Sequence, residues 1–265
     1  MVGTPQCCEL KVRLLIFSDI HSNLEALDAC LNTVEGWDRF VNLGDTVGYA
    51  ADPNAVIGRV RPYGGLAVRG NHDHAVLDAK QLESFNPIAA QALEWTRKQL
   101  TPENLAWLSE VPGGPIYEPA LAGAQFVHGS PADEDEYIQG EFSARAAFAG
   151  SPAQLIFFGH THIQGAIECQ EKKIQVIHPS YGFKRGRAER CDLPLELENE
   201  ARYLVNPGSV GQPRDGDWRA AFALYDSDKH QVSFWRTPYD VELTQQKIIG
   251  AGLPYRLASR LREGR

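Results

Sequence analysis

Six of the eight histidines in this chain sit in short motifs beside carboxylates, an asparagine or glycines. In order these are Asp19-Ile20-His21, Gly44-Asp45, Gly70-Asn71-His72-Asp73-His74, Val127-His128-Gly129 and Gly159-His160-Thr161-His162. The set supplies hard oxygen donors and imidazoles and no thiolate. Such donors suit one or two divalent ions of the manganese, iron, cobalt, nickel or zinc type. Each fragment alone is weak. Asp19 and His21 could be a turn residue beside a surface histidine, and Gly44-Asp45 or Gly70-Asn71 could simply be turns. His160 and His162 alternate with Thr161, so on a strand both would face one side. The order of the five fragments carries more than any one of them.

Each fragment follows an apolar run. Val12–Phe17 precedes Ser18-Asp19, Arg39–Leu43 precedes Gly44-Asp45, and Leu66–Val68 precedes Gly70-Asn71. Gln125–Val127 precedes His128, and Leu155–Phe158 precedes Gly159-His160. Short apolar runs bounded by turn residues suit strands buried on both faces. Between the first two, Ser22–Asn32 has Leu24, Leu27 and Leu31 at helical spacing, with Ser22 or Asn23 as cap. The expected order is strand, ligand loop, helix, strand, ligand loop. In open α/β sheets, ligands gather beyond the carboxyl ends of the strands.

The chain has 265 residues, 43% apolar and 23% charged, an ordinary globular composition. No apolar stretch approaches the ~20 residues that span a bilayer, so no membrane partner is expected. The first ten residues lack the apolar region of a secretory signal. Five scattered cysteines favour free thiols in a reducing cytoplasm, and Cys7-Cys8 reads as part of an ordinary N-terminus. The net charge of −8 argues against a broad nucleic-acid-binding surface. The basic cluster Lys184-Arg185-Gly186-Arg187, with Arg190 behind it, reads as a solvated loop or as a patch for an anionic substrate.

Three lid-like excursions are expected, near 75–121, 131–150 and 179–202. The first carries helical stretches at Ile88–Leu100 and Pro102–Leu108. The chain returns to strands at Ala221–Tyr225 and Gln231–Trp235 and ends in a helix, Val241–Ile249. No composition break suggests a second domain, so residues 1–265 are read as one.

D-x-H, G-D-x-x-G, G-N-H-D, H-G and G-H-x-H, in that order, resemble the calcineurin-like metallophosphoesterase superfamily. Gly44–Pro53 and Asn206–Arg214 are similar to its small bacterial and archaeal branch. The resemblance implies a four-layer α/β/β/α sandwich of two mixed sheets flanked by helices. It implies two divalent ions, with manganese the first expectation. Asp19, His21 and His162 would hold one, Asn71, His128 and His160 the other, and Asp45 would bridge them. Physical chemistry agrees, since a carboxylate can join two cations and a neutral amide does so less well. Two ions ~3.5–4 Å apart can share a hydroxide that attacks phosphorus.

The resemblance also makes His72 the general acid that protonates the leaving group. Its alternative role is a hydrogen bond that orients Asn71. Asp73 could fix the His72 tautomer, and His74 is supporting or incidental. His178 and His230 lie outside every motif and read as ordinary structural or surface residues.

The protein serine/threonine phosphatases of the superfamily continue the second motif as G-D-x-V-D-R-G. Here Gly48 and Tyr49 follow Val47, so the acidic partner of the histidine and the phosphate-gripping arginine are both missing. Arg214 could take over the grip, or could be a loop arginine fixed by Asp215 or Asp217. The expected partner is therefore a small-molecule phosphoester. Phosphodiesters and nucleotide polyphosphates are both open, with dinucleoside polyphosphates the specific expectation. Tyr137, Phe142, Tyr181 and Phe183 in the excursions could pack on a nucleobase. A phosphomonoesterase, a protein phosphatase or a scaffold that kept the fold without the chemistry are the alternatives. Oligomeric state is not readable.

Overall fold

The computed structural model describes residues 11–118, 121, 123–182, 187–191, 195–198 and 200–265. Cys7, Cys8, Phe183 and Lys184 to Gly186 lie outside them.

The strands are β1 (Arg13–Phe17), β2 (Arg39–Asn42), β3 (Leu66–Ala67), β4 (Ile116–Glu118), β5 (Ala124–Phe126), β6 (Leu155–Phe157), β7 (Gly165–Gln170), β8 (Lys173–Ile177), β9 (Glu189–Arg190), β10 (Leu195–Glu196), β11 (Arg202–Asn206), β12 (Ala220–Asp226) and β13 (Gln231–Thr237). The helices are α1 (Leu24–Leu31), α2 (Pro53–Val60), α3 (Asn71–Leu77), α4 (Pro87–Gln99), α5 (Pro102–Glu110), α6 (Glu141–Ala149), α7 (Val241–Gly250) and α8 (Tyr255–Ser259).

Two mixed sheets form. One runs β10-β13-β12-β1-β2-β3, with β9 also on β13; the other runs β4-β5-β6-β11-β7-β8. Alternation along β1 builds the layers. Leu14 and Ile16 face inward and pack with Phe126, Phe157, Val205 and Tyr225 between the sheets. Leu15 and Phe17 face outward against α1, α2, α7 and α8. On the far side Ile156, Phe158 and Leu204 pack under α6. These layers make the expected four-layer α/β/β/α sandwich. Burial of both strand faces explains why the runs read as continuously apolar rather than alternating.

Each sheet contains a parallel triplet. In the first, β1, β2 and β3 are parallel neighbours; in the second, β5, β6 and β11 are. Every motif loop follows one of these strands, so the carboxyl ends of the two triplets bring the motifs together.

The expected helices form with small boundary shifts. Asn23 caps α1 by accepting from Ala26 N–H at 3.1 Å, which settles the choice between Ser22 and Asn23. The first excursion folds as α3, α4 and α5 around a small apolar cluster of Val76, Leu93 and Leu108. In the described part of the third, β9 and β10 extend the edge of the first sheet by pairing with β13. Among the described residues, no helix is long and apolar enough to cross a membrane.

Candidate metal centre

The loops after β1, β2 and β6 bring Asp19, His21, Asp45 and His162 together with one donor atom each, all within 4.8 Å of one another. Asp45, His128 and His160 make a second such group. Asn71 joins the second group, its Oδ1 lying 3.3 Å from His128 Nε2. All seven sequence-expected ligands are therefore in one place, and Asp45 belongs to both groups.

The Asp45 carboxylate is divided in use. Its Oδ1 accepts the His72 backbone N–H at 2.8 Å, at the start of α3. Its Oδ2 lies 3.5 Å from both His21 Nε2 and His128 Nε2. One oxygen, not two, faces both groups.

Ring tautomers follow from the backbone. A carbonyl oxygen can only accept, so Nδ1–H of His21, His128 and His162 donates to the carbonyls of Val47 (3.2 Å), Leu43 (2.7 Å) and Gln212 (2.6 Å). That leaves Nε2 free to bind. His160 is reversed: its Nε2–H donates to Asp135 carbonyl oxygen at 3.2 Å, leaving Nδ1. Partners of this kind fix ring orientation around metals.

The chemistry of the donors fits a cation. His21 Nε2 and His162 Nε2 lie 3.2 Å apart with their protons committed on the opposite nitrogens. Asp19 Oδ1 lies 3.1 Å from His162 Nε2, is buried, and has no hydrogen-bond donor. Two lone pairs and an unpartnered carboxylate oxygen converge in an interior that penalises unpaired polar atoms. The backbone carries the cost of this arrangement. Asp19, His21, Asp45, His160 and His162 all have φ between 49° and 64°, a region disfavoured for residues with side chains.

Protonation reflects the crowding. Burial pushes the Asp19 and Asp45 carboxyls up, but the imidazoles beside them, His162 for Asp19 and His128 for Asp45, outweigh it and hold both below the usual range. Burial alone dominates His21, which is pushed well below an ordinary imidazole. For His128 burial pulls down, but Asp45 and Asp19 outweigh it and push it up to about 10. The His128 imidazolium thus offsets part of the charge of the two carboxylates when no metal is bound.

Glycines let the loops close. A Cβ on Gly44 would meet the backbone of Gly70 and the ring of His128, and one on Gly70 would meet the Asp45 carboxylate. The segment after β11 braces the rest. Asn206 Nδ2 donates to Gly159 O (2.8 Å) and Thr161 Oγ1 (3.0 Å). Ser209 Oγ donates to Asp19 O at 2.8 Å, and Gly211 N–H to the same oxygen at 2.9 Å.

His72 is buried beside the first group, its ring centroid 4.7 Å from His21, 4.4 Å from Tyr49 and 5.0 Å from Phe85. Its Nδ1 has no hydrogen-bond partner. A Cβ at Gly48 would sit 2.5 Å from that nitrogen. Asp73 does not fix the His72 tautomer. Its carboxylate instead accepts N–H bonds from Thr46 (3.1 Å), Val47 (3.0 Å) and Gly70 (3.3 Å), clamping two motif loops together.

His74 has a definite task. Its Nδ1 lies 2.6 Å from Glu134 Oε1, tying α3 to the 131–140 loop. That loop lays Tyr137 on His160, with centroids 3.9 Å apart. The other loop aromatics are elsewhere: Phe142 is 88% exposed, and the Tyr181 hydroxyl donates to Gln164 at 2.5 Å.

Arg214 is not fixed by its acidic neighbours. Asp215 pairs with Arg236 and Asp217 with Arg219. Arg214 Nη2 instead lies 3.1 Å from Gln212 Oε1 and 3.5 Å from the Tyr49 hydroxyl. Sequence reasoning missed Tyr49, Asp135 and Gln212. Tyr49 had a signal, since it stands where the phosphatases carry the gripping arginine. The other two contribute backbone carbonyls, which no side-chain pattern reveals.

The model of the calcineurin-like phosphoesterase superfamily domain matches residues 12–230. The chain belongs to that superfamily. An uncharacterised protein from Methanocaldococcus jannaschii is 35% identical over 262 residues, covering 97% of this chain and 100% of that protein. A metallophosphoesterase from Sphaerobacter thermophilus superposes with a TM-score of 0.81 at 35% identity, covering 97% of this chain and 100% of its own. A hypothetical protein from Pyrococcus horikoshii shares the fold, with a TM-score of 0.74 at 20% identity, covering 96% and 99%. This calcineurin-like phosphoesterase thus sits in a family of divalent-metal hydrolases of phosphate esters, and its donors are those such chemistry needs.

Proposed function

We propose that this chain is a two-metal phosphoesterase of small phosphodiesters or nucleotide polyphosphates, working with manganese, or with iron, zinc, nickel or cobalt. The observation that carries the reading is Asp45 Oδ2, equidistant at 3.5 Å from an imidazole of each group. Asp19, His21 and His162 would hold one ion, Asn71, His128 and His160 the other, and Asp45 would serve both. When bound, the ions supply an activated water and neutralise the charge that builds on the phosphoryl oxygens.

The remaining work falls to the chain. Burial, with the Arg214 charge nearby, pushes His72 down to about 4, so the ring is neutral at rest. An arriving phosphate anion is the charge that favours its protonated form, which then donates to the leaving oxygen. Gly48 supports a small substrate over a phosphoprotein, because the acidic residue that partners this histidine in the phosphatases is replaced by a backbone lying against the ring. The Tyr137 ring lies stacked on His160, one of the expected ligands of the second group.

The test is kcat/KM with saturating manganese on diadenosine tetraphosphate, an aryl diester, a phosphomonoester and a phosphopeptide. The diester and the polyphosphate should be preferred. A preference for the phosphopeptide overturns the reading. Turnover of the aryl diester alone removes the dinucleotide and keeps the diester class.

A further inference from the structure

The His72 ring has no carboxylate to orient it. Its Nδ1 is buried without a hydrogen bond, and Asp73, next to it in sequence, is turned onto Thr46, Val47 and Gly70. The Gly48 backbone closes the space beside Nδ1, where even a Cβ would come within 2.5 Å. The torsion that turns an imidazole on its Cβ is broad and roughly two-fold when nothing fixes it. A ring that must present one nitrogen to a substrate therefore needs another constraint.

Two aromatic rings supply it. The Tyr49 centroid is 4.4 Å from that of His72 at an interplanar angle of 56°, and the Phe85 centroid is 5.0 Å away at 86°. Rings in contact at such different angles leave the imidazole little freedom to turn. Both are themselves held. Tyr49 is buried with φ 57°, a left-handed backbone that is rare for a bulky side chain. Its flanks enforce it: Gly48 N–H donates to Ser22 Oγ at 3.1 Å, and Ala50 N–H to His21 O at 3.1 Å. A disfavoured backbone kept by its surroundings points to a side chain whose placement matters. The hydroxyl adds only a long contact, 3.5 Å to Arg214 Nη2, so the ring is the part in use. Phe85, just before α4, packs against both the core under α1, α2, α7 and α8 and the small cluster of Val76, Leu93 and Leu108. Through it the first excursion reaches the site.

We propose that Tyr49 and Phe85 are positioning residues for His72: their rings, packed on its imidazole, set the orientation that a hydrogen bond at Nδ1 would otherwise set. What the oriented ring then does rests on the phosphoesterase reading above.

The test joins ring order to rate. Order is read by NMR relaxation on the zinc-loaded protein with carbon-labelled histidine, the His72 signal being the one lost in His72→Gln. Wild type should show a rigid His72 ring. Tyr49→Leu and Phe85→Ala should make it mobile with metal content unchanged. Tyr49→Phe keeps the aromatic ring and should restore the order, and Phe85→Leu, which keeps apolar bulk for both clusters, should fall between. On phosphodiesters with alkyl leaving groups, Tyr49→Leu and Phe85→Ala should each lower kcat by ~10-fold, the scale of a misplaced reacting group, with KM within about twofold. Neither should lower kcat further once His72 is already Gln. A His72 ring that stays rigid in both variants overturns the proposal, as does a full further loss of rate in the His72→Gln background. If ring order depends on Tyr49 and Phe85 but no phosphoester is hydrolysed, the positioning stands and the proposed function falls.

Discussion

The two donor groups are built from similar residues but held in different ways. Asp19, His21 and His162 are fixed by the fold. Asp19 and His162 sit on loops locked by the segment after β11, through Ser209, Gly211 and the Gln212 carbonyl. His21 is anchored to the Val47 carbonyl in the neighbouring loop. In the other group, His160 depends on a surface excursion. Asp135 supplies its carbonyl partner, and Tyr137, which is 46% exposed, covers its ring. That group also uses neutral Asn71 where the first has the Asp19 carboxylate. With core-held ligands and one more formal charge, the first group is expected to bind its ion more tightly than the second, one of whose ligands leans on Asp135 and Tyr137.

His72 belongs to neither group, and removing it separates chemistry from binding. His72→Gln should keep both metals and lower kcat by ~10²-fold or more on substrates with alkyl leaving groups. The loss should shrink with nitrophenyl leaving groups, which need less protonation. An equal loss across leaving groups of different pKa would return His72 to a role in orienting Asn71.

A matched pair of substitutions tests how each group is held. Tyr137→Ala should weaken the second metal by ~10-fold, as loss of an outer partner does, and leave thermal stability and the first metal unchanged. Ser209→Ala should instead lower stability by about 1–3 kcal/mol, because Asp19 O and the Gln212 N–H lose a buried partner. Metal titrations and melting curves on the two variants decide the matter. If both variants lose the same metal and the same stability, the contrast between core-held and loop-held ligands is wrong.

The smallest effect concerns pH. In the metal-free protein His128 sits at about 10, above an ordinary imidazole. A raised value in the folded state means that its contribution is fully present below about pH 6.5 and is lost as pH rises toward 10. Melting temperature of the metal-free protein should therefore fall across that window. Metal binding should release a proton there, since the metal takes the neutral ring. A metal-free melting temperature that rises from pH 6.5 to 10 would remove His128 as the charge shared with Asp45.

Much of this site was readable in advance because its donors are side chains placed directly after apolar runs. All seven expected ligands converge, and the two parallel triplets explain why each motif follows a strand. The central strand β11 was less visible. Arg202–Asn206 is short and follows a polar stretch, and only its antiparallel pairing to β7 and parallel pairing to β6 make it central. Asp73 was misassigned to His72 because neighbours in sequence diverge on a helix, and its carboxylate turns back onto Thr46, Val47 and Gly70. The positive φ angles of five ligands were also invisible. Aspartate and histidine do not announce a left-handed backbone as glycine does.

Asp45 carries the central claim, that one carboxylate oxygen serves two ions. Elemental analysis of Asp45→Asn beside wild type tests it most directly, after dialysis against the same manganese buffer. Wild type should hold two ions per chain, and the variant should lose occupancy at both sites with nearly all activity. Two fully occupied ions in Asp45→Asn, or one site emptied while the other stays full, would contradict the shared role of Asp45.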